Sequence, residues 1–282
     1  MRFLLRSALC VGIVVFCTAA SASSPYLVRV LVNERLPEVS VSSSGRAFAL
    51  LRPFTLEKLN TVTADKLVIK VQPNGVEVNG VLYKIFGVVI ASEKKNSLYV
   101  DGKRYRGMLQ VVKNRSSLQL LSLIDIETYL EHVIGREMPY QWPKQALHAQ
   151  AIVSRTYVVQ RMLESRYADF DVYRSTQDQV ADLNSPVRDS IREAVESTRG
   201  MVLLYRGEVF SAFFHSTCGG QTKKAAWFWN VPDIPPLQGV SCGPCSESPF
   251  YRWDKTFSLE AFKRMPKKAS TGPLRSGTLK PI

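Results

Sequence analysis

The sequence predicts an α+β protein: a β-rich N-terminal part, then a mixed part built from helices and a hairpin. Three observations carry this. Residues 26–120 contain short runs rich in Val, Ile, Leu and Tyr, such as YLVRVLV, KLVIKV and KIFGVVIA, punctuated by Gly, Asn and Pro. Residues 125–161 contain two stretches whose apolar residues recur at helical spacing. Residues 201–216 read as two apolar runs about a turn at Arg206-Gly207.

Taken in order, the chain begins with Arg2 and Arg6, a mostly apolar run over 9–16 and an Ala20-Ser21-Ala22 pattern. This reads as a signal peptide over residues 1–22. The run is shorter than the roughly 20 residues that a membrane span needs. The mature chain is therefore expected to be exported, in the periplasm or cell envelope; an uncleaved, membrane-associated form is the second option. Net charge is +13; loss of Arg2 and Arg6, with no acid lost, leaves +11. Six of those charges, Lys263, Arg264, Lys267, Lys268, Arg275 and Lys280, fall in a tail with no acid. Residues 263–282 read as a basic, disordered segment suited to anionic wall polymers or phospholipid. The compartment and the lack of a recognition motif exclude nucleic acid as a partner.

The expected organisation is a β-rich region over 26–120, a mixed catalytic region over 121–262 and the tail. The first holds no titratable cluster and reads as scaffold, a small sheet or partial barrel. The mixed region opens with Asp125 as an N-cap, followed by an apolar stripe of Ile126, Tyr129, Leu130, Val133 and Ile134. Pro139 disfavours a helical Met138, so the helix should stop near Glu137. A carboxylate at a helix end beside apolar neighbours is desolvated and gains little from the helix dipole. It stays protonated to higher pH, as a general acid must. The other reading is a Glu that caps a loop or pairs with an Arg.

Pro143 suits the first position of a second helix running to about Arg161. On it, Gln150 shares a face with Tyr157, and Arg155 shares another with Ala151 and Val158. Buried polar groups of this kind need partners. They either hold substrate or pair with backbone and carboxylates in the core. Ser185-Pro186 should open a third helix that ends at Arg199-Gly200. The hairpin then delivers His215, Ser216, Thr217 and the Gly219-Gly220 pair to its end. Of Trp227, Trp229 and Trp253, which could stack on sugars, at least two are expected in the core.

Cys218, Cys242 and Cys245 remain after the signal. His215-x-x-Cys218 and Cys242-x-x-Cys245 are spaced like the halves of a structural Cys3His zinc site. A disulfide from Cys218 to one member of the second pair is the alternative.

The run YLEHVIGREMPYQWPKQALHAQAIVSRTY resembles the signature of the SpoIID/LytB family. Further blocks follow in the expected order: STQDQV at 175–180, EAVESTRGMVLLYRGEVFSAFFHSTCGGQT at 193–222 and CGPCSESPFYRW at 242–253. The resemblance implies a lytic transglycosylase of peptidoglycan glycan strands, with Glu137 of EMP as catalytic acid/base and no cofactor needed for the chemistry. The candidates to position the glycan, read from the residues themselves, are Gln150, Arg155, Tyr157, Ser216 and Thr217. A two-carboxylate hydrolase would need a partner such as Asp178 or Asp182, and nothing singles out either. The family pattern continues to a GHGVGMSQ-like segment that has no counterpart here. That departure supports the alternative, a non-catalytic wall binder that enhances an amidase.

Overall fold

The structure is a computed structural model that describes residues 26–92, 97–164, 169–252 and residues 254, 256, 258 and 260. The signal peptide, Trp253 and the basic tail lie outside the described residues. The chain divides into two compact units, Met1–Ala212 and Phe213–Ile282.

The first unit begins with β1 (Leu27–Leu36), β2 (Glu38–Ser43), β3 (Ala47–Leu51), β4 (Lys58–Thr63), β5 (Lys66–Gln72) and β6 (Gly75–Val78). β7 (Val81–Tyr83), β8 (Gly87–Ser92), β9 (Leu98–Val100), β10 (Lys103–Tyr105), β11 (Met108–Asn114) and β12 (Ser117–Asp125) follow. Then come α1 (Ile126–Glu137), α2 (Lys144–Glu164), β13 (Val172–Tyr173), α3 (Asp189–Ser197), β14 (Leu204–Tyr205) and β15 (Glu208–Val209). The architecture is the expected α+β class, with more sheet than the sequence suggested. One sheet has seven strands, ordered β13-β1-β12-β11-β8-β3-β4, and the other six, ordered β10-β9-β2-β5-β6-β7. Alternating side chains of both sheets, among them Val39, Val41, Phe48, Leu67, Ile90, Leu109 and Leu120, share one core.

A second core lies where the long sheet meets the helices. Val28, Val30 and Ile124 from β1 and β12 pack with the α1 stripe and with Leu147, Ala151, Val158, Ile191, Ala194 and Val195. The sheet thus supplies the floor on which α1 rests. β13 pairs parallel with β1, Val30 opposite Val172, and beside it Arg29 grips Asp171, Nη2 to Oδ1 2.6 Å.

Two elements differ from the sequence expectation. Ser185 does not cap α3; its hydroxyl bonds to the Asp182 carbonyl at 3.1 Å, and the helix begins three residues later, after an extended Arg188. The helix ends at Ser197 with Thr198 as its C-cap, short of the expected Arg199-Gly200, although Gly200 does sit in the left-handed region at φ +73. The hairpin turns at Arg206-Gly207, both with positive φ, but its ladder is only two residues long. The preceding backbone is taken up by α2 instead: the Arg155 Nη1 donates to the Met201 carbonyl at 3.1 Å, and the Leu203 N–H donates to Thr156 Oγ1 at 2.9 Å.

Candidate active site

α1 presents the candidate acid. Asp125 Oδ1 accepts from the N–H groups of Glu127 (3.1 Å) and Thr128 (3.2 Å) and so fixes the start of the helix. Met138 leaves the helix in an extended conformation before Pro139, which makes Glu137 the last helical residue. Glu137 is half-buried. Burial raises its carboxyl pKa above the ordinary range, and a hydrogen bond from the Val180 backbone N–H opposes this more weakly. Among the described residues no cation pairs with it.

The Val180 donor belongs to a segment that is held residue by residue. Asp178 accepts from the Tyr157 hydroxyl and from the Tyr173 N–H, each at 2.8 Å, and lies 3.0 Å from Arg161 Nε. Gln179 accepts from the Tyr129 hydroxyl at 3.3 Å and donates to the Ser154 carbonyl at 3.2 Å. Burial, then the charges of Asp178, Tyr157 and Glu137, push the Tyr129 phenol well above its usual pKa, so it remains a donor. The sequence marked 175–180 as a block but gave no sign that it would deliver a backbone donor to Glu137. Tyr129, Gln179 and Val180 were therefore missed. The unbroken polar run Ser175 to Gln179 was the available signal for Gln179, and none pointed to Val180.

The other sequence-predicted residues divide. Arg155 is only 1% exposed; its guanidinium clamps Glu127 (Nη2 to Oε2 2.6 Å) and donates to the Val195 carbonyl at 3.3 Å. The Gly200 N–H donates to the other Glu127 oxygen at 3.2 Å. Tyr157 is buried on Asp178. These two occupy the core reading that the sequence left open and present no surface to a substrate, which corrects the substrate-binding expectation for both. Gln150 is half-buried and donates to Ser154 Oγ at 3.0 Å. Asp178 is bound up in the network, and Asp182 accepts from Asn184 N–H at 3.3 Å in a turn.

In the second unit, His215 and Ser216 are exposed, and Thr217 Oγ1 lies 2.9 Å from Ser248 Oγ. Gly220 has φ +94, and a Cβ there would fall 2.8 Å from the Tyr251 hydroxyl, so that glycine makes room for a side chain of the protein itself. Trp227 and Trp229 are 69% and 51% exposed, against the expectation of burial. The described residues of this unit bury only small or single side chains, Cys218, Ala225 and Leu237, and offer no core wide enough for indoles. Trp229 stacks instead on Phe213, with centroids 4.3 Å apart.

Cys218, Cys242 and Cys245 converge, with all three Sγ atoms within 4.8 Å of one another. A tetrahedral zinc–thiolate site sets its sulfurs roughly 3.8 Å apart, so the donor set fits that ion. The Cys218 N–H points at Cys245 Sγ at 3.5 Å and, with the Cys242 and Cys218 thiols, lowers the Cys245 pKa toward thiolate. His215 is not in this set among the described residues, contrary to the fourth place assigned to it. Two residues separate it from Cys218 in a stretch with no helical turn, and such spacing turns the two side chains apart.

Residues 114–205 match the SpoIID family model, described as Stage II sporulation protein. An uncharacterised protein of Brachyspira hyodysenteriae is 28% identical over 221 residues, 78% of this chain and 59% of that protein. Stage II sporulation protein D of Bacillus subtilis is 29% identical over 165 residues, 53% of this chain and 48% of its own length. The amidase enhancer of Bacillus subtilis is 31% identical over 139 residues, 48% of this chain and 18% of its own. The chain spans about half the length of the first two. The matched segment contains Glu137, Val180 and the Arg155–Glu127 pair, and over it the chain is similar to the SpoIID/LytB family.

Proposed function

We propose that this protein cleaves peptidoglycan glycan strands as a lytic transglycosylase, with Glu137 as its single acid/base. The observation that carries this reading is a half-buried carboxylate, raised in pKa, with a backbone donor and no cation among the described residues. Protonated Glu137 gives its proton to the glycosidic oxygen as the bond from C1 of the muramic residue breaks. The resulting carboxylate then takes the proton of the C6 hydroxyl while that oxygen bonds to C1. The products are a 1,6-anhydro end and a free hydroxyl on the departing sugar. Charge balances without a second carboxylate, in keeping with Asp178 being tied to Tyr157 and Arg161. The Val180 N–H and the Tyr129–Gln179 link orient Glu137, and Arg155 acts at a distance by fixing α1 against α2. Ser216 and Thr217 are glycan contacts of the second unit in this reading. In this reading residues 1–22 act as an export signal, and the protein works in the envelope with wall glycan as its partner. The test is mass spectrometry of products from purified wall: Glu137→Gln should release no anhydro-muramyl species while its Tm does not fall. Near-normal release by that variant would overturn the assignment.

A second reading, a wall-bound enhancer of an amidase, is favoured by the similarity to the amidase enhancer and by the exposed Trp227, Phe228 and Trp229. It is separated from the first by the same variant, since an enhancer would stimulate the amidase without Glu137. Cys218, Cys242 and Cys245 would hold a structural zinc, which would supply cross-linking there and no catalytic step. One equivalent of zinc by elemental analysis, and a lower Tm with chelator, are expected. A metal-free protein two mass units short of the reduced chain would establish the disulfide instead.

A further inference from the structure

The loop joining α1 to α2, residues 138–143, starts one position after Glu137. Pro139 and Pro143 restrict its backbone at both ends. The Trp142 N–H donates to the Pro139 carbonyl at 3.1 Å, and Ser190 Oγ donates to the Tyr140 carbonyl at 3.0 Å. A loop tied in this way would be expected to bury its aromatic side chains, yet Tyr140 is 42% and Trp142 51% exposed. The Tyr140 ring is in use: the Arg188 guanidinium lies over it, 5.0 Å from the centroid. The Trp142 ring makes no ring or cation contact among the described residues. Arg188 is itself exposed and makes no ion pair among them. The Trp142 backbone is braced by the loop and the Arg188 guanidinium is held over the Tyr140 ring, so part of the ordering needed for binding is already in place.

We propose that Trp142 and Arg188 form a muramic-acid subsite beside Glu137. Trp142 stacks on the apolar C–H face of a pyranose. Arg188, carried on Tyr140, pairs with the lactyl carboxylate, the only charge on a glycan strand stripped of its peptides. Five residues reach at most about 18 Å, and the turn at Pro139 shortens that, so Trp142 stays within the span of the sugars flanking the cleaved bond. The ligand class rests on the glycan-cleaving reading above; the subsite adds the discrimination of muramic strands from neutral amino-sugar polymers.

The test is calorimetric binding by the full chain carrying Glu137→Gln, with two probes of equal length. One is a GlcNAc–MurNAc tetrasaccharide without stem peptides, the other chitotetraose, which has no carboxylate. Trp142→Ala should raise Kd for both roughly tenfold, and Trp142→Phe should recover most of the loss. Arg188→Gln should weaken only the muramic probe and remove the salt dependence of its binding. Unchanged Tm in each variant shows that the fold is intact, as expected for exposed side chains. Binding of both probes that is indifferent to Trp142, or loss with Arg188→Gln that is equal for both, overturns the subsite alone. Absence of any binding by the Glu137→Gln parent overturns the glycan reading, and the subsite with it.

Discussion

Glu127 and Glu137 lie at opposite ends of α1, about 15 Å apart along its axis, and meet opposite surroundings. Glu127 is enclosed by a bidentate arginine and the Gly200 N–H. Glu137 has one backbone donor, partial burial and, among the described residues, no cation. The residue type is the same, so the difference teaches that the partner decides the role. A carboxylate whose charge is answered in full is a strut. One whose charge is answered in part holds a proton that it can give away.

Several experiments can break or sharpen this contrast. The largest effect should come from exchanging the two roles in an activity assay. Glu137→Gln should lower turnover by at least about 10²–10⁴-fold with the fold retained, whereas Glu127→Gln should act through stability. Equal losses of turnover at equal Tm would erase the distinction. Next, Arg155→Ala strands Glu127 as an unpaired buried charge and should cost about 3–5 kcal/mol in denaturant unfolding. The double variant Arg155→Met with Glu127→Gln should recover much of that loss; failure to recover would mean that packing, not charge, is what Arg155 supplies. Smaller again, Tyr157→Phe removes a buried donor from Asp178 and should cost about 1–3 kcal/mol. It should also lower kcat, because the 175–180 segment that carries the Val180 N–H loses one of its ties.

The smallest effect concerns pH. The folded pKa of Glu137 is raised, so the folded state holds its proton more tightly than the unfolded chain. The associated stability is complete below the ordinary glutamate pKa and is lost as pH rises through the folded value. Glu137→Gln should therefore raise Tm more at pH 7 than at pH 4. His132 has the opposite sign. It is buried in α1 and its pKa is lowered, first by burial and then by the Arg106 charge, with the Asp182 backbone opposing. Stability should fall as pH drops below about 6.5, the unfolded value, and His132→Leu should flatten that slope.

Much of this contrast was legible in the sequence at its local end only. The apolar stripe, Asp125 and Met138-Pro139 together define α1 and place Glu137 at its terminus, because each acts within one or two turns. The identity of the partners was not legible. Arg155 clearly needed a carboxylate, but Glu127 lies 28 residues earlier on another helix, and only the docking of α1 on α2 brings them together. Val180 could not be singled out, since a backbone N–H leaves no trace in residue type. The shortened hairpin has the same cause. Met201 and Leu203 look like strand residues, and their backbone groups were claimed by Arg155 and Thr156. The exposed indoles were misjudged because Trp is usually buried, and the second unit has too little apolar volume to follow that rule.

The two-residue ladder between β13 and β1 bears on how the molecule can be cut and how it is made. The stretch that matches the family model, residues 114–205, is not an excisable module. Expressed by itself it would lack β1, leaving the long edge of β12 open to other chains and Asp171 without Arg29. Arg29 and Asp171 are 142 positions apart. On the ribosome β1 therefore emerges long before the strand it must receive, and the segment carrying the Val180 donor is laid down last on that edge. Val180, whose N–H bonds to Glu137, is synthesised after every strand of the two large sheets.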